Sequence, residues 1–215
     1  MPTADEITGD DLIAVGADLR PETLITAYAS GLFPMPVGRR RLGWWSPDPR
    51  GVLPLDRLVV SKSLRRSRQR YSVTIDRSFR EVVQACATIP RPHGWITPAI
   101  EDAYQTLHDL GVAHSIETWD DAGSLVGGLY GVNLGGFFAG ESMFQRATDA
   151  SKVALVALVE ILATTTGALL DVQWRTDHLA SLGVIELPRS EYLQLIPPAV
   201  AALPPVAFRS PRSLP

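Results

Sequence analysis

The chain has 215 residues, 46% hydrophobic and 20% charged, enough for one sizeable core with a smaller appendage. It contains no apolar run of about 18 residues, and its first eleven residues hold four acids and no Lys or Arg, so we expect neither a membrane span nor a signal peptide, and a cytoplasmic protein. One cysteine and four scattered histidines exclude an internal disulfide and match no zinc-site spacing, so we expect no metal and no cofactor.

The net charge of -3 is unevenly distributed along the chain. Between Arg39 and Arg80 there are twelve Lys/Arg residues and three acids, a net +9, which leaves -12 for the remainder. The densest part carries five cations without an acid: Lys62, Arg65, Arg66, Arg68 and Arg70. Such a run concentrates positive potential suited to a phosphate backbone, although a solvated helix face has the same composition.

The N-terminal part of the sequence predicts a small unit of its own. A helix begins at Pro21 and ends before Gly31, which stands at the position of a C-cap glycine. Residues 33–55 are rich in proline and glycine and are predicted to form an irregular loop that carries Trp44 and Trp45. We therefore divide the chain into a small N-terminal domain, residues 1–62, and a larger domain, residues 63–215.

The larger domain alternates helical and strand patterns. Ser78 and Thr97 are predicted N-caps of two helices, the second ending before Gly111. The segments that follow are predicted, in order, as three strands, an apolar helix, a strand, a short helix and a last helix: Ala113–Trp119, Leu125–Val132, Phe137–Phe144, Ser151–Thr166, Ala168–Trp174, one around Leu179 and one near Tyr192. This order predicts a mixed α/β (α+β) sheet with helices packed on it.

The predicted strand Ala168–Trp174 holds two polar residues, Asp171 and Gln173. Side chains alternate along a strand, so both are expected on one face, with Leu170, Val172 and Trp174 on the other. An acid and an amide on a buried strand need either structural partners or a substrate, and the sequence leaves both interpretations open.

Several segments then resemble the leucyl/phenylalanyl-tRNA–protein transferase family, in the family's order. The match runs from about Asp10 to Tyr192, and its most specific pieces are Trp44-Trp45-Ser46-Pro47-Asp48-Pro49-Arg50 and Gly140-Glu141-Ser142-Met143-Phe144. The resemblance implies a small N-terminal domain followed by a domain like the GNAT acyltransferases. Two positions depart from the family: Met35 replaces a usual tryptophan, and Val172 replaces a frequent cysteine.

The resemblance also implies an activity. Leucine or phenylalanine, and less readily methionine, would pass from aminoacyl-tRNA to proteins that begin with arginine or lysine, marking them for degradation by the N-end rule pathway. Catalytic roles are expected for Asp171, Gln173 and Glu141, with Gln173 orienting the attacking amine, Asp171 helping to take its proton and Glu141 holding an ammonium group.

Further expectations concern the two ends of the aminoacyl-tRNA. The pocket for the amino acid is expected to include Leu129, Phe138, Leu158 and Leu170, while Trp44 or Trp45 and Trp95 stack on the adenosine. The five cations between residues 62 and 70 are expected to bind tRNA.

Two other functions remain open from the residues alone. An N-acetyltransferase would share the fold but normally cradles the pyrophosphate of its cofactor in a glycine-rich loop, and residues 144–149 contain no glycine. A non-enzymatic RNA-binding protein would need only the basic segment.

Overall fold

A computed structural model describes residues 11–38, 41–89 and 94–209. The acidic residues at positions 5, 6 and 10 and the arginines at 39 and 40, which entered the sequence argument, lie outside these ranges. The strands are β1 (Leu12–Val15), β2 (Phe33–Val37), β3 (Arg41–Trp45), β4 (Arg50–Leu53), β5 (Ser72–Ile75), β6 (Ala113–Trp119), β7 (Leu125–Leu134), β8 (Phe137–Gln145), β9 (Leu169–Gln173) and β10 (Ile185–Leu187). The helices are α1 (Pro21–Ala29), α2 (Lys62–Arg68), α3 (Phe79–Thr88), α4 (Pro98–Asp109), α5 (Ala150–Leu162), α6 (Asp177–Ala180) and α7 (Arg189–Ala201).

These strands form two sheets. The small sheet has the order β1-β3-β2, and the large one has the order β10-β4-β9-β8-β7-β6-β5. Neighbours in the large sheet are antiparallel except β8 and β9, which are parallel. The mixed α/β class and the small N-terminal unit are confirmed, and the GNAT-like relationship stays an implication of the family resemblance.

The chain changes from the small sheet to the large one between β3 and β4. Because β4 lies between β10 and β9, part of the predicted N-terminal domain is built into the large sheet, next to its edge strand β10. The predicted domain boundary at residue 62, where α2 begins, therefore does not coincide with the passage from the small sheet to the large one. It stays a prediction. All four β4 residues are buried, so their sequence shows no alternation that would reveal a strand.

The irregular loop predicted for residues 33–55 is wrong, because β2, β3 and β4 occupy most of it. Pro34 and Pro36 lie in β2, and β2 is an edge strand, where a missing N–H group costs no ladder hydrogen bond. The short edge strands β1, β5 and β10 were not predicted either. By contrast, the capped helices α1 and α4, the central strands β6 to β9 and the apolar helix α5 lie within a few residues of their predicted bounds.

Helices cover both faces of the large sheet. Helices α3 and α4 pack on one face around Val82, Tyr104 and Tyr130, with α1 and α7 beside them. Helix α5 packs on the other face, where Leu155 and Leu158 meet Leu129, Phe138 and Leu170 of the sheet. Helices therefore bury both faces of the large sheet.

Candidate active site

The large sheet forks between β8 and β9. Their parallel pairing covers only Phe137–Ala139 against Leu169–Asp171, and the strands separate beyond it. Each strand also carries an irregularity there. Glu141 is the extra residue of a bulge against β7, since Gly131 pairs with Gly140 and Tyr130 with Ser142. On β9, Val172 is skipped in the register with β4.

The fork opens into a cavity of about 410 Å³. Apolar side chains supply most of its wall, with polar residues at the fork and near α6. The wall consists of Phe33, Pro34, Met35, Trp95, Leu129, Gly140, Glu141, Ser142, Met143, Leu155, Leu158, Leu170, Val172, Gln173, Trp174, Thr176, His178 and Leu179. This size and lining are typical of a site that binds an apolar group and orients it with a few polar contacts.

Gln173 enters the cavity through an unusual backbone turn. Its φ angle is +58°, and the N–H of Trp174 donates to the carbonyl oxygen of Val172 at 2.8 Å, closing a three-residue turn. Non-glycine residues rarely adopt positive φ, and such strain collects at functional sites. Gly51 makes the turn possible, because a Cβ atom there would lie 2.9 Å from backbone atoms of Trp174 and Arg175.

This turn corrects the expectation that Asp171 and Gln173 share a face. Alternation holds from Leu170 to Val172 and then fails, so Gln173 lines the cavity together with Leu170, Val172 and Trp174. Asp171 lies on the opposite side of the strand and is fully buried. Val172, the departure from the family that was expected on the face opposite Asp171 and Gln173, lies in the cavity wall beside Gln173.

Asp171 belongs to a closed ionic cluster. Arg50 donates from Nε to Oδ1 at 2.8 Å and from Nη2 to Oδ2 at 2.6 Å, and the Tyr192 hydroxyl donates to Oδ2 at 2.9 Å. The backbone N–H of Gln173 adds a fourth bond, to Oδ1 at 3.0 Å. Burial lowers the pKa of Arg50, but Asp171, Tyr192 and Glu141 together outweigh that effect and hold the pKa above its ordinary value. With four donors around it, the carboxylate fixes the Gln173 turn from behind the cavity wall.

Glu141 is the second carboxylate of the site, and it lies in the cavity wall. Its Oε2 accepts a hydrogen bond from Tyr104 at 2.9 Å, and the Tyr104 hydroxyl bonds in turn to that of Tyr28. Burial raises the pKa of Glu141 to about 7, although the tyrosine hydrogen bonds lower it and Arg50 does so more weakly. Near neutral pH the group can therefore take up or release a proton.

Two polar atoms of the cavity wall lack partners among the described residues: Oε1 of Glu141 and Nε2 of Gln173. Buried polar atoms in folded proteins are nearly always bonded, and each exception calls for an explanation. Both residues line the same cavity. The simplest explanation is that their partners belong to a bound molecule.

The predicted substrate residues divide into two groups. Trp95, Leu129, Leu158 and Leu170 line the cavity. Phe138 does not, because it is fully buried and stacks on Phe208, 5.8 Å between ring centroids.

The tryptophan pair also lies outside the cavity wall. Trp44 is only 1% exposed and donates to the Gly16 carbonyl oxygen, so the predicted stacking on adenosine does not fit it. Trp45 lies in the small sheet and donates to the carbonyl oxygen of Met35, which itself lines the cavity.

Sequence reasoning gave no site role to Phe33, Leu155, Trp174 or His178, which line the cavity, or to Arg50, which supports it. Arg50 belongs to the tryptophan-pair motif and Phe33 lies shortly before it. The motif could therefore have indicated that both residues lie at the site. Leu155 lies one turn before Leu158 on α5, a spacing that puts both on one helix face. Trp174 follows the turn, whose geometry the sequence does not encode in any simple pattern.

The basic residues lie on and just after α2. Lys62, Arg65, Arg66 and Arg68 are exposed, and Arg70 follows the helix. Arg68 forms a two-pronged ion pair with Glu160 of α5. Helix α2 packs on α5 through Leu64, which meets Val153 and Val156. The basic surface is thus joined to the helix that supplies one wall of the cavity.

Within the described residues no group of three or more His, Cys, Asp or Glu could hold a metal ion. No helix in those ranges has both the length and the apolar character needed to cross a bilayer. Cys86 is buried in α3, away from the cavity wall.

Comparison with known proteins gives a consistent picture. Residues 52–197 match the family profile described as leucyl/phenylalanyl-tRNA protein transferase, and residues 17–48 match that of its N-terminal domain. A leucyl/phenylalanyl-tRNA–protein transferase of Anaeromyxobacter sp. is 53% identical over 198 residues, 90% of this chain and 84% of the relative. One from Methylibium petroleiphilum is 47% identical over 222 residues, 99% of this chain and 83% of the relative. Among solved structures, the L-PGS of Bacillus licheniformis aligns with a TM-score of 0.40 at 14% identity over 79% of this chain and 57% of that one, too low a likeness to support an inference.

Proposed function

Because this chain belongs to the leucyl/phenylalanyl-tRNA–protein transferase family, an enzyme family that moves an aminoacyl group from tRNA to a protein, we propose that it transfers leucine or phenylalanine, and less readily methionine, to N-terminal arginine or lysine. The observation that carries this proposal is the apolar cavity whose wall includes two polar atoms, of Glu141 and Gln173, that lack partners among the described residues. An apolar side chain fills such a cavity while its amino and carbonyl groups meet the polar end.

The chemistry requires positioning more than strong base catalysis. The acceptor α-amine attacks the ester carbonyl carbon, a peptide C–N bond forms, the ester C–O bond breaks, and the ribose hydroxyl leaves with the proton that the amine gives up. The ester is already activated, and an amine with a pKa of about 7.7–8.0 is roughly a tenth neutral at pH 7. Holding the two reactants in line is therefore the main task of the site.

We assign this positioning to Gln173 and Glu141. The amide oxygen of Gln173 is barely basic, so it accepts a hydrogen bond from the attacking amine and orients it. Glu141 binds an ammonium group, that of the aminoacyl moiety or that of the acceptor. Asp171 does not face the cavity, and both of its carboxylate oxygens already accept hydrogen bonds, from Arg50, Tyr192 and the Gln173 N–H. It therefore acts indirectly, by fixing the backbone that carries Gln173. We therefore replace the direct proton-taking role expected for Asp171 with a positioning role.

The remaining parts of the substrate have candidate sites as well. Trp95 and the exposed Trp174 at the cavity wall offer faces for the terminal adenosine, and the basic residues of α2 suit the tRNA backbone. Transfer to a basic N-terminus would create an apolar N-terminus and mark the acceptor for degradation by the N-end rule pathway. We place this activity in the cytoplasm.

The experiment is transfer of labelled leucine from tRNA to a peptide that begins with arginine. The matched control is the same peptide with an acetylated N-terminus, which offers no amine. Label in the free peptide alone is the expected result. Label in neither peptide, with tRNA still bound, would favour the RNA-binding alternative, and acetylation of the peptide from acetyl-CoA would favour the acetyltransferase.

Amino-acid selection tests the cavity separately. A cavity closed by Leu129, Leu158 and Leu170 should accept unbranched Cβ positions and reject β-branched side chains by shape. One methylene in such a pocket is worth about 1–3 kcal/mol, so leucine should exceed valine and isoleucine by roughly tenfold or more in competition between charged tRNAs. Equal transfer of isoleucine and leucine would contradict the pocket assignment.

A further inference from the structure

Two basic side chains stand at the α5 side of the cavity. His178, in α6, lines the cavity next to Thr176. Lys152 lies one turn before Leu155 on α5, and Leu155 lines the same cavity, so the two residues share one side of that helix. The Lys152 charge lies close enough to His178 to lower the pKa of the histidine. The two basic groups are therefore near each other on the side of the cavity that α5 and α6 supply.

The carboxylate of Asp149, next to Lys152, already accepts two hydrogen bonds. Asp149 accepts from Lys152 Nζ at 3.0 Å through Oδ1 and from Ser67 of α2 at 2.9 Å through Oδ2. Lys152 keeps 29% of its side chain exposed, and its ammonium group has further hydrogens to donate. Through Ser67 and Asp149 the basic helix α2 is therefore connected to Lys152, the residue whose charge acts on His178.

We propose that Lys152 and His178 bind the phosphate that links the terminal adenosine of tRNA to the preceding nucleotide. The proposal rests on the function proposed above, since an aminoacyl group inside the cavity leaves the 5′ side of its own nucleotide at the entrance. That phosphate is the first negative charge outside the cavity, and an ammonium group is a suitable partner for it. The cations of α2 then serve nucleotides further from the 3′ end.

His178 contributes as a hydrogen-bond donor rather than as a charge. Partial burial of the ring, with a smaller effect of the Lys152 charge, lowers the pKa of His178 below its ordinary value. The imidazole is therefore neutral at pH 7, and the one ring nitrogen that carries hydrogen can donate to a phosphate oxygen.

Stable analogues isolate this contact from the chemistry of transfer. The probe is adenosine with leucylamide in place of its 3′ hydroxyl, prepared with a free 5′ hydroxyl or with a 5′-phosphate, and its binding is measured by calorimetry. We expect the phosphate to tighten binding about tenfold, the lower end for a charge-assisted hydrogen bond. Lys152→Gln should remove most of that gain, and Lys152→Arg should keep it.

Two further variants exclude a purely structural effect. Asp149→Asn breaks the Lys152 ion pair without removing the cation, so the gain from the phosphate should persist or increase. Arg80→Gln removes an equivalent exposed cation, paired with Asp102 on α4, and should leave the gain unchanged. A Lys152→Gln variant that keeps the full gain, or an Asp149→Asn variant that loses it, overturns the proposal. If neither analogue binds, the pocket assignment falls with it, whereas equal binding of both overturns the phosphate contact alone.

Discussion

Asp171 and Glu141 are carboxylates on neighbouring strands of the same fork, yet their surroundings differ completely. Asp171 is fully buried, and Arg50, Tyr192 and the Gln173 backbone satisfy both of its oxygens. Glu141 has one oxygen bonded to Tyr104 and one without a partner among the described residues, and it lines the cavity. A satisfied carboxylate maintains the architecture, whereas an unsatisfied one at a cavity is available to a ligand.

The largest effect should come from opening the closed cluster. Arg50→Met leaves Asp171 buried without its cation, and breaking one partner of a buried pair costs about 3–5 kcal/mol. The free energy of unfolding, measured with denaturant, should fall by that amount. Arg20→Met is the matched control, because Arg20 and Asp18 form a solvent-exposed pair whose loss should change the free energy of unfolding little. Similar losses in both variants would show that the cluster is not structural.

Glu141→Gln should have the opposite effect from Arg50→Met, because it should leave the protein folded and stable but reduce the rate of transfer. Hydrogen bonds to charged groups are worth about 1.5–3 kcal/mol, so kcat/KM for leucyl transfer should fall by roughly 10- to 100-fold. Glu117→Gln provides the comparison, since Glu117 is also buried in this sheet but bonds Ser115, Thr74 and the Ser78 N–H. That variant should lose stability more than transfer. Near-normal transfer by Glu141→Gln would remove Glu141 from the site.

The pKa of Glu141 predicts how its stability effect changes with pH. A raised pKa in the folded state favours folding when the group is protonated, so this contribution is complete below the ordinary value near 4.5 and is lost as pH rises to about 7. Glu141→Gln removes the titration. Between pH 5 and pH 8 the variant should therefore gain stability relative to the unmodified protein, on the order of 1–3 kcal/mol.

Denaturant unfolding at several pH values measures this difference. Glu117, whose pKa burial also raises, is present in both proteins and cancels in the comparison. A stability difference that is constant from pH 5 to pH 8 would mean that Glu141 titrates as an ordinary carboxyl.

The smallest effect compares cations of α2 with and without an ion pair to another described residue. Arg65→Ala with Arg66→Ala should flatten the dependence of log K for tRNA on log salt by about 1.4–1.8, at 0.7–0.9 for each phosphate contact. Arg68→Ala should change the slope less, because Arg68 is already paired with Glu160. Slopes from tRNA binding at several salt concentrations provide the measurement. Equal effects of all three residues would show that the ion pair with Glu160 opens on binding.

The sequence predicted the parts of the fold in which local signals agree with the final structure. Helix α4 has Thr97 as its cap and proline at its start, and β6 to β8 are long central strands. Strand β4 was missed because burial on both faces removes alternation and prolines flank it. Its place between β10 and β9 depends on contacts with residues far along the chain, which no local pattern expresses.

For the site, the sequence identified Gln173 and Glu141 but not how they reach the cavity. Period-two alternation predicted Asp171 and Gln173 on one face, and a left-handed turn at Gln173 defeats that rule. Phe138 was expected in the pocket from the family resemblance, yet it stacks on Phe208 and does not line the cavity. Both errors arise where tertiary packing decides the direction of a side chain.

The position of β4 also has a consequence for synthesis on the ribosome. Arg50 and Asp171 are separated by 121 residues, and β4 emerges long before β9 and β10, the strands on either side of it. Strand pairs so far apart in sequence form slowly, because the entropy of closing the intervening loop is lost before the contacts between the strands provide a compensating energy. A nascent chain that ends before residue 169 therefore has β8 as an unpaired edge strand of its sheet, and such an edge can pair with other chains and aggregate. The edge is covered, and the fork between β8 and β9 forms, only after the last quarter of the protein has been synthesised.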